Sequence, residues 1–193
     1  MNAPTPPDDA KLAERALGGE AAAFGQLVRR HKADVFRLAR RYTGDPDAAL
    51  EVVQESFVAA WRALGRYDPA RPFGAWLRII ALNKCRDRGR QSALLRTFFG
   101  GGDVEGPEAR ARPDERPDPE AALLGRERLV TLDRAISALP AGLKEPLILT
   151  AFEGLSQQEA GRMLGLSAKA VEIRVYRARR RLADLLKVED PDS

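Results

Sequence analysis

Residues Gly154 to Leu186 read GLSQQEAGRMLGLSAKAVEIRVYRARRRLADLL, and this stretch decides the architecture of the C-terminal part of the chain. Ser156 and Glu159 stand in the Ser-x-x-Glu spacing of a capping box, in which each side chain satisfies a free amide of the other's backbone, so a helix starts at Ser156. Gly165 ends it, since glycine alone enters the left-handed region without a Cβ penalty. Leu166 is an apolar plug, and Ser167 caps a second helix from about Ala168 to about Leu186.

At about 100° per residue, Val171, Val175, Ala178, Leu182 and Leu185 fall on one stripe of that second helix, which must face its own domain. The opposite side carries Lys169, Ile173, Tyr176, Arg177 and Arg180, with Glu172, Arg174 and Arg181 at its margins. Charge alone makes this an ordinary solvated face. A capping box, a glycine turn, a second cap and a basic helix, in that order, are jointly what a helix-turn-helix requires, and that order points to DNA. Ile173 supports the reading, because an apolar side chain on that face suits a thymine methyl.

The chain has 193 residues, 44% of them hydrophobic, enough for one or two small cores. Its net charge of +4 fits a polyanionic partner. No apolar run approaches the length of a membrane span, and MNAPTPPDDAKLAER lacks the basic-then-apolar order of a signal peptide. Neither membrane insertion nor secretion is expected, and the expected location is cytoplasmic. Cys85 and His31 are the only cysteine and histidine, which excludes an internal disulfide and a Cys/His zinc site. The triple glycine Gly100–Gly102 is no phosphate loop, because no lysine follows at Walker spacing and no strand precedes it. No cofactor, metal, small-molecule substrate or catalytic residue is expected.

The apolar period is helical throughout, so the chain reads as all-α. A short helix over Lys11–Leu17 breaks at Gly18-Gly19. A long helix follows from about Glu20 to Tyr42, with Phe24, Leu27, Val28, Val35, Leu38 and Tyr42 as core candidates. Asp45 or Asp47 caps the next, which ends near Leu64 and presents Leu50, Val53, Phe57 and Trp61. After the loop Gly65–Pro72, a helix from Phe73 carries Trp76, Leu77, Ile80 and Leu82 before turning basic at Lys84, Arg86, Arg88 and Arg90. Trp61 and Trp76 read as core; Tyr67 is the better candidate to stack on a base. Thr97–Pro119, with three glycines in a row and four prolines, reads as a mobile tether, from which Phe98 and Phe99 either dock back or meet a partner. The second module has four helices: Leu129–Leu139, then Leu143–Phe152 with Pro146 in its first turn, then the helix-turn-helix. The expected organisation is thus a disordered N-terminus (1–10), a three- to four-helix bundle (11–96), a flexible linker (97–119), a four-helix domain (120–188) and a tail (189–193).

The two modules, in this order, resemble the extracytoplasmic-function group of bacterial RNA polymerase sigma factors, the minimal members of the sigma-70 class. In the first module the resemblance rests on Ala23-Phe24, Asp45-Pro46-Asp47-Ala48, Val53-Gln54-Glu55-Ser56-Phe57, Ala60-Trp61-Arg62-Ala63, Tyr67-Asp68-Pro69 and Pro72-Phe73-Gly74-Ala75-Trp76-Leu77. In the second it rests on Leu139-Pro140, Glu153-Gly154-Leu155-Ser156, Leu164-Gly165-Leu166-Ser167, Val171, Arg174 and Arg177-Ala178-Arg179. No single motif is decisive; their order along one chain is specific.

The resemblance implies a region-two domain that binds the polymerase clamp and reads the promoter −10 element, and a region-four domain that reads the −35 element. It puts the surface for core RNA polymerase on Glu51, Gln54, Glu55 and Val58, with Glu51 where the family usually has aspartate. It assigns the −10 contacts to the loop residues Arg66, Tyr67, Asp68 and Arg71 together with Arg78, Asn83, Lys84 and Arg86. It assigns the −35 contacts to Ser167, Lys169, Ala170, Glu172, Ile173 and Arg174 near the bases and to Arg177, Arg179 and Arg180 on phosphates. Glu172-Ile173-Arg174 departs from the commoner Lys-Ser-Arg, so the preferred −35 sequence is open. An anti-sigma partner is also implied. The alternative is an autonomous helix-turn-helix regulator, dimeric and able to bind an operator unaided; a helical enzyme lacks any nucleophile-and-base or ligand cluster.

Overall fold

A computed structural model describes residues 8–98 and 119–189, and among these residues all regular structure is helical. The order is α1 (Asp9–Leu17), α2 (Ala21–Thr43), α3 (Pro46–Ala63), a 3-10 turn (Leu64–Arg66), α4 (Phe73–Phe98), α5 (Pro119–Ser137), α6 (Ala141–Leu147), a π turn (Ile148–Phe152), α7 (Gln157–Leu164) and α8 (Ala168–Glu189). The chain forms two compact units. One comprises α1, α2 as far as Ala39, α3 from Leu50, and α4 as far as Ala93; the other comprises Arg40–Ala49 with α5 to α8. Most of the proposed linker, with Phe99, lies outside the described residues. Its ends at Thr97, Phe98 and Pro119 are helical in backbone.

At the two ends of α2 the helix breaks sit where backbone chemistry demands them. Gly19 and Gly44 have φ of 96° and 75°, values a side chain resists. Asp45, of the two aspartates that suited the role, caps α3: its Oδ1 accepts from the amide of Asp47 at 2.8 Å. Leu12, Leu27, Leu38, Val52, Phe73, Leu77 and Leu82 fill the interior of the first unit at 2% exposure or less.

The buried face of α3 is the expected one at Val53 and Phe57 but not at Leu50 and Trp61. Leu50 and Trp61 are each 45% exposed, while Ala49, Val52, Val53, Ser56, Phe57 and Ala60 point inward. Small side chains at Ala49, Ser56 and Ala60 let α3 approach its neighbours closely, and a leucine or tryptophan in those places would overfill the contact. Tyr67 differs in the opposite sense. It is only 8% exposed, packed on Phe73 and Trp76 with ring centroids 5.3 Å away in each case, so little of its ring is open to stack on a base.

In the second unit α6 begins at Ala141, two residues before its expected start, because the Pro140 carbonyl already accepts from Leu143 and Lys144 at 2.8 and 2.9 Å. Pro146 therefore lies beyond the first turn rather than in it. A proline there disrupts the helical ladder, and the backbone widens just afterwards into the π turn, with the Glu153 amide donating to Ile148. The Thr150 hydroxyl takes up the Pro146 carbonyl at 2.8 Å. Lys144 reaches back to cap α5, donating to the Ser137 carbonyl at 2.7 Å.

The turn between α7 and α8 depends on two glycines. Gly165 has φ of 68°, as a left-handed cap needs. Gly161 is needed for space: a Cβ added there would lie 2.6 Å from the Leu166 carbonyl oxygen, a backbone atom with little freedom to retreat. Gly161→Ala is expected to destabilise this unit by about 1–3 kcal/mol, the usual range for overpacking a close backbone contact. Thermal unfolding followed by circular dichroism measures it, and an unchanged midpoint contradicts the account.

Candidate functional site

The α7–α8 pair forms as its residues dictate. Ser156 Oγ accepts from the Glu159 amide at 3.2 Å, and Glu159 Oε2 accepts from the Ser156 amide at 2.9 Å, which closes the capping box. Ser167 Oγ accepts from the Ala170 amide at 3.1 Å and starts α8. Val171, Val175 and Ala178 are buried, with Leu182 and Leu185 half-buried. Ser167, Lys169, Glu172, Ile173, Arg177, Arg179 and Arg180 are exposed, and Ala170 and Arg174 half-buried, so these sequence-derived contact residues gather along the outer side and flanks of one helix.

Two further details bear on that face. Lys169 Nζ pairs with Glu172 Oε2 at 2.9 Å, an exposed i,i+3 pair of small worth. Tyr176, at 62% exposure, is more open than any large apolar side chain among the described residues of this helix, including Ile173 at 42%. It lies one turn beyond Ile173, on the side the sequence already marks as outward.

In the first unit the exposed residues of α3 form a mixed stripe. Leu50, Gln54, Val58 and Trp61 fall within an arc of about 80° at 100° per residue, and Leu50, Val58 and Trp61 are 45, 50 and 45% exposed. The carboxylates beside them are partnered across to α4. Glu51 pairs with Arg88, and Glu55 meets Lys84 at 4.0 Å. A groove lined by Glu55, Val58, Ala59, Arg62, Arg66 and Lys84 runs from this stripe toward the 3-10 turn.

The loop beyond that turn is shaped by its own side chains. The Tyr67 hydroxyl donates to the Arg71 carbonyl at 2.7 Å, and Asp68 Oδ1 accepts from the Ala70 amide at 3.0 Å. Arg66, Asp68 and Arg71 are exposed. On α4, Asn83 is exposed and accepts from Arg86 at 3.1 Å, and Arg78, Lys84 and Arg86 are half-exposed. Tyr67 thus closes the loop from within rather than presenting its ring. Sequence reasoning missed Leu50 and Trp61 as surface residues; the alanines at 49 and 60 were the available signal.

Among the described residues no group of His, Cys, Asp and Glu has the arrangement of a metal site, and no helix is long and apolar enough to cross a membrane.

Residues 27–94 match the family model for sigma-70 region 2, and residues 129–182 that for sigma-70 region 4. The chain is 43% identical over 189 residues to RNA polymerase sigma factor CnrH of Cupriavidus metallidurans, covering 95% of this chain and 97% of that protein. It is 32% identical to the RNA polymerase sigma-H factor of Pseudomonas aeruginosa, covering 91% and 92%. Among solved structures, CnrH bound to the cytosolic domain of CnrY aligns with a TM-score of 0.64 at 40% identity, over 96% of this chain and 99% of that one. The sigma factor RpoE of Bartonella quintana, solved with the anti-sigma factor NepR, aligns at 0.67 with 24% identity over 86% and 97%, a likeness of fold.

The capping box makes a pH prediction. Hydrogen bonds from Ser156, side chain and then backbone, hold the Glu159 carboxyl below the ordinary glutamate value of 4.5. A lowered folded value means that the contribution is complete above the ordinary value and is lost as pH falls through the lowered one. Glu159→Gln keeps a capping acceptor without the titration, so its stability should fall less steeply than the wild type's below pH 4.5. Equal acid slopes in denaturant titrations would reject the assignment.

Proposed function

Since the chain belongs to the extracytoplasmic-function sigma factors of the sigma-70 family, we propose that its α3 stripe docks on core RNA polymerase, that its 66–71 loop and α4 take the −10 strand, and that α8 reads the −35 element. A sigma factor is no enzyme; it binds core polymerase and directs it to promoters. The observation that carries the polymerase surface is the stripe Leu50, Gln54, Val58 and Trp61, apolar at three positions yet open to solvent and edged by Glu51 and Glu55. Apolar side chains in the middle of a charged rim are the pattern of a protein interface.

For the −10 element, Arg66 and Arg71 flank a loop whose shape is set internally, and Arg78, Asn83, Lys84 and Arg86 continue along α4 as amide and cationic groups for a single strand. Asp68 serves this reading mainly by holding the loop turn. For the −35 element, Lys169, Ala170, Glu172, Ile173 and Arg174 stand nearest the helix start, the part of a recognition helix that meets base edges. Arg177, Arg179 and Arg180 follow as phosphate contacts.

The cytoplasm, where the polymerase is, is the expected location. Control by an anti-sigma protein is supported by the 40%-identical CnrH, which is solved bound to the cytosolic domain of CnrY.

Reconstituted transcription with core polymerase and a genomic promoter library tests the whole reading, and start sites that do not share two motifs at fixed spacing would overturn it. Leu50→Ala combined with Val58→Ala should weaken core binding by about tenfold while leaving the unfolding midpoint almost unchanged, because both side chains are solvent-facing. In DNA titrations, Arg177→Ala is expected to weaken all −35 sequences alike and to lower the salt slope by about one. Glu172→Ala should relax preference at one base pair, as loss of an acceptor for cytosine N4 would. Uniform loss in both variants discards the assignment.

A further inference from the structure

Helix α1 precedes the residues matched to region 2, which start at 27, and nothing in the proposed function uses it. It is nonetheless firmly attached. Leu12, Ala13 and Ala16 are buried at 3% exposure or less. At its first residue, Asp9 Oδ1 accepts from Arg30 at 2.7 Å and Oδ2 lies 2.7 Å from His31 Nε2. These side chains are partly enclosed, Asp9 at 24% and His31 at 16% exposure, where such bonds are worth more than on open surface. Burial pushes the Asp9 carboxyl up, but hydrogen bonds and attraction from His31 and Arg30 outweigh it and hold it below the ordinary value.

From His31 a continuous set of ring contacts runs to the loop assigned to the −10 strand. The His31 ring lies 5.4 Å from Phe73, Phe73 meets Tyr67 edge-on at 5.3 Å, and the Tyr67 hydroxyl donates to the Arg71 carbonyl at 2.7 Å. His31 also fits closely over the start of α4: a Cβ at Gly74 would come within 3.3 Å of its ring. The other end of the loop is braced too. α1 packs on the 3-10 turn, and the Leu17 side chain lies 3.9 Å from where a Gly65 Cβ would be. The Tyr67 hydroxyl feels α1 directly: burial first, then the charges of Asp9, Asp8 and Asp68, raise its pKa.

Within this loop the member next to the interior is Tyr67, since Arg66, Asp68, Pro69, Ala70 and Arg71 are all exposed. We propose that Asp9 and His31 are positioning residues for the −10 loop, fixing through Phe73 and Tyr67 the conformation in which Arg66–Arg71 receives an unstacked base. The proposal rests on the reading of that loop given above. A site that captures a flipped base must be held to a fraction of an ångström, and a loop of exposed residues gains that order from what lies behind it.

The test uses the full chain with a fluorescein-labelled single-stranded oligonucleotide carrying the −10 sequence found by start-site mapping, together with its single-base variants. A −35 duplex and core polymerase are titrated in parallel. Asp9→Ala should weaken −10 strand binding about tenfold and reduce its discrimination between bases, with −35 and polymerase affinities within about twofold of wild type. Asp9→Glu should restore most of the loss. His31→Phe keeps a ring against Phe73 but cannot bond Asp9; it should behave like Asp9→Ala, and it serves if Asp9→Ala folds poorly.

Equal losses in all three affinities, or no rescue by Asp9→Glu, would overturn the positioning role. Arg71→Ala separates the two levels of argument. If Arg71→Ala weakens −10 binding and the Asp9 and His31 variants do not, this inference fails and the loop assignment stands. If Arg71→Ala also leaves binding and base preference unchanged, the loop assignment itself fails and the inference with it.

Discussion

Close approach of helix backbones at small side chains is the constraint on which both units depend. In the first, Ala16, Ala23, Ala39, Ala60 and Ala81 are all at 3% exposure or less, and in the second Ala49, Ala160, Gly161 and Ala178 are buried. Where two helices meet across such residues, the larger neighbours one position away are turned outward. That is why α3 buries Ala49 and Ala60 and leaves Leu50 and Trp61 half in solvent. The exposed apolar stripe is therefore a consequence of packing, and it is a surface of the kind that a partner can cover.

The same constraint shapes the α7–α8 turn. Gly161 lets the α7 backbone come against the Leu166 carbonyl, and Gly165 turns the chain without a Cβ. With Val171, Val175 and Ala178 drawn inward, geometry alone sends Lys169, Glu172, Ile173 and Tyr176 outward. The direction of the outer face of α8 thus follows from backbone clearance, and its chemistry is free to vary on that side. Glu172-Ile173-Arg174 in place of the commoner Lys-Ser-Arg of the family is a change of that free kind.

Much of this was legible in the residues, and the failures have definite causes. The capping box, the Gly165 stop and the Ser167 cap all form as written, because each depends on neighbours three or four positions away. The α3 face was read rightly at Val53 and Phe57 and misread at Leu50 and Trp61, because apolar size was weighed above helix approach and Trp61 outranked Ala60. Tyr67 was misread because an aromatic in a basic loop suits a base, whereas its hydroxyl closes the loop on the Arg71 carbonyl and its ring meets Phe73 and Trp76. Those contacts lie four to nine residues away along an irregular backbone, where periodicity carries no signal. The pairing of Asp9 with Arg30 and His31, more than twenty residues apart, had no sequence signature at all.

Electrostatics divides the surface by how readily each charge is released. Glu51 with Arg88, Glu55 with Lys84 and Lys169 with Glu172 are ion pairs whose members are about one-third exposed or more, so each contributes little and is readily exchanged for a partner's phosphate or guanidinium. Asp9 with Arg30 and His31 is more enclosed, and its exchange for solvent would leave a half-buried carboxylate with poorer compensation. The former suit contact faces, where cations must change partners when DNA or polymerase arrives. The latter suits a brace, whose value lies in not changing. The contrast in burial, more than in charge, separates the pairs on the proposed contact faces from the proposed brace.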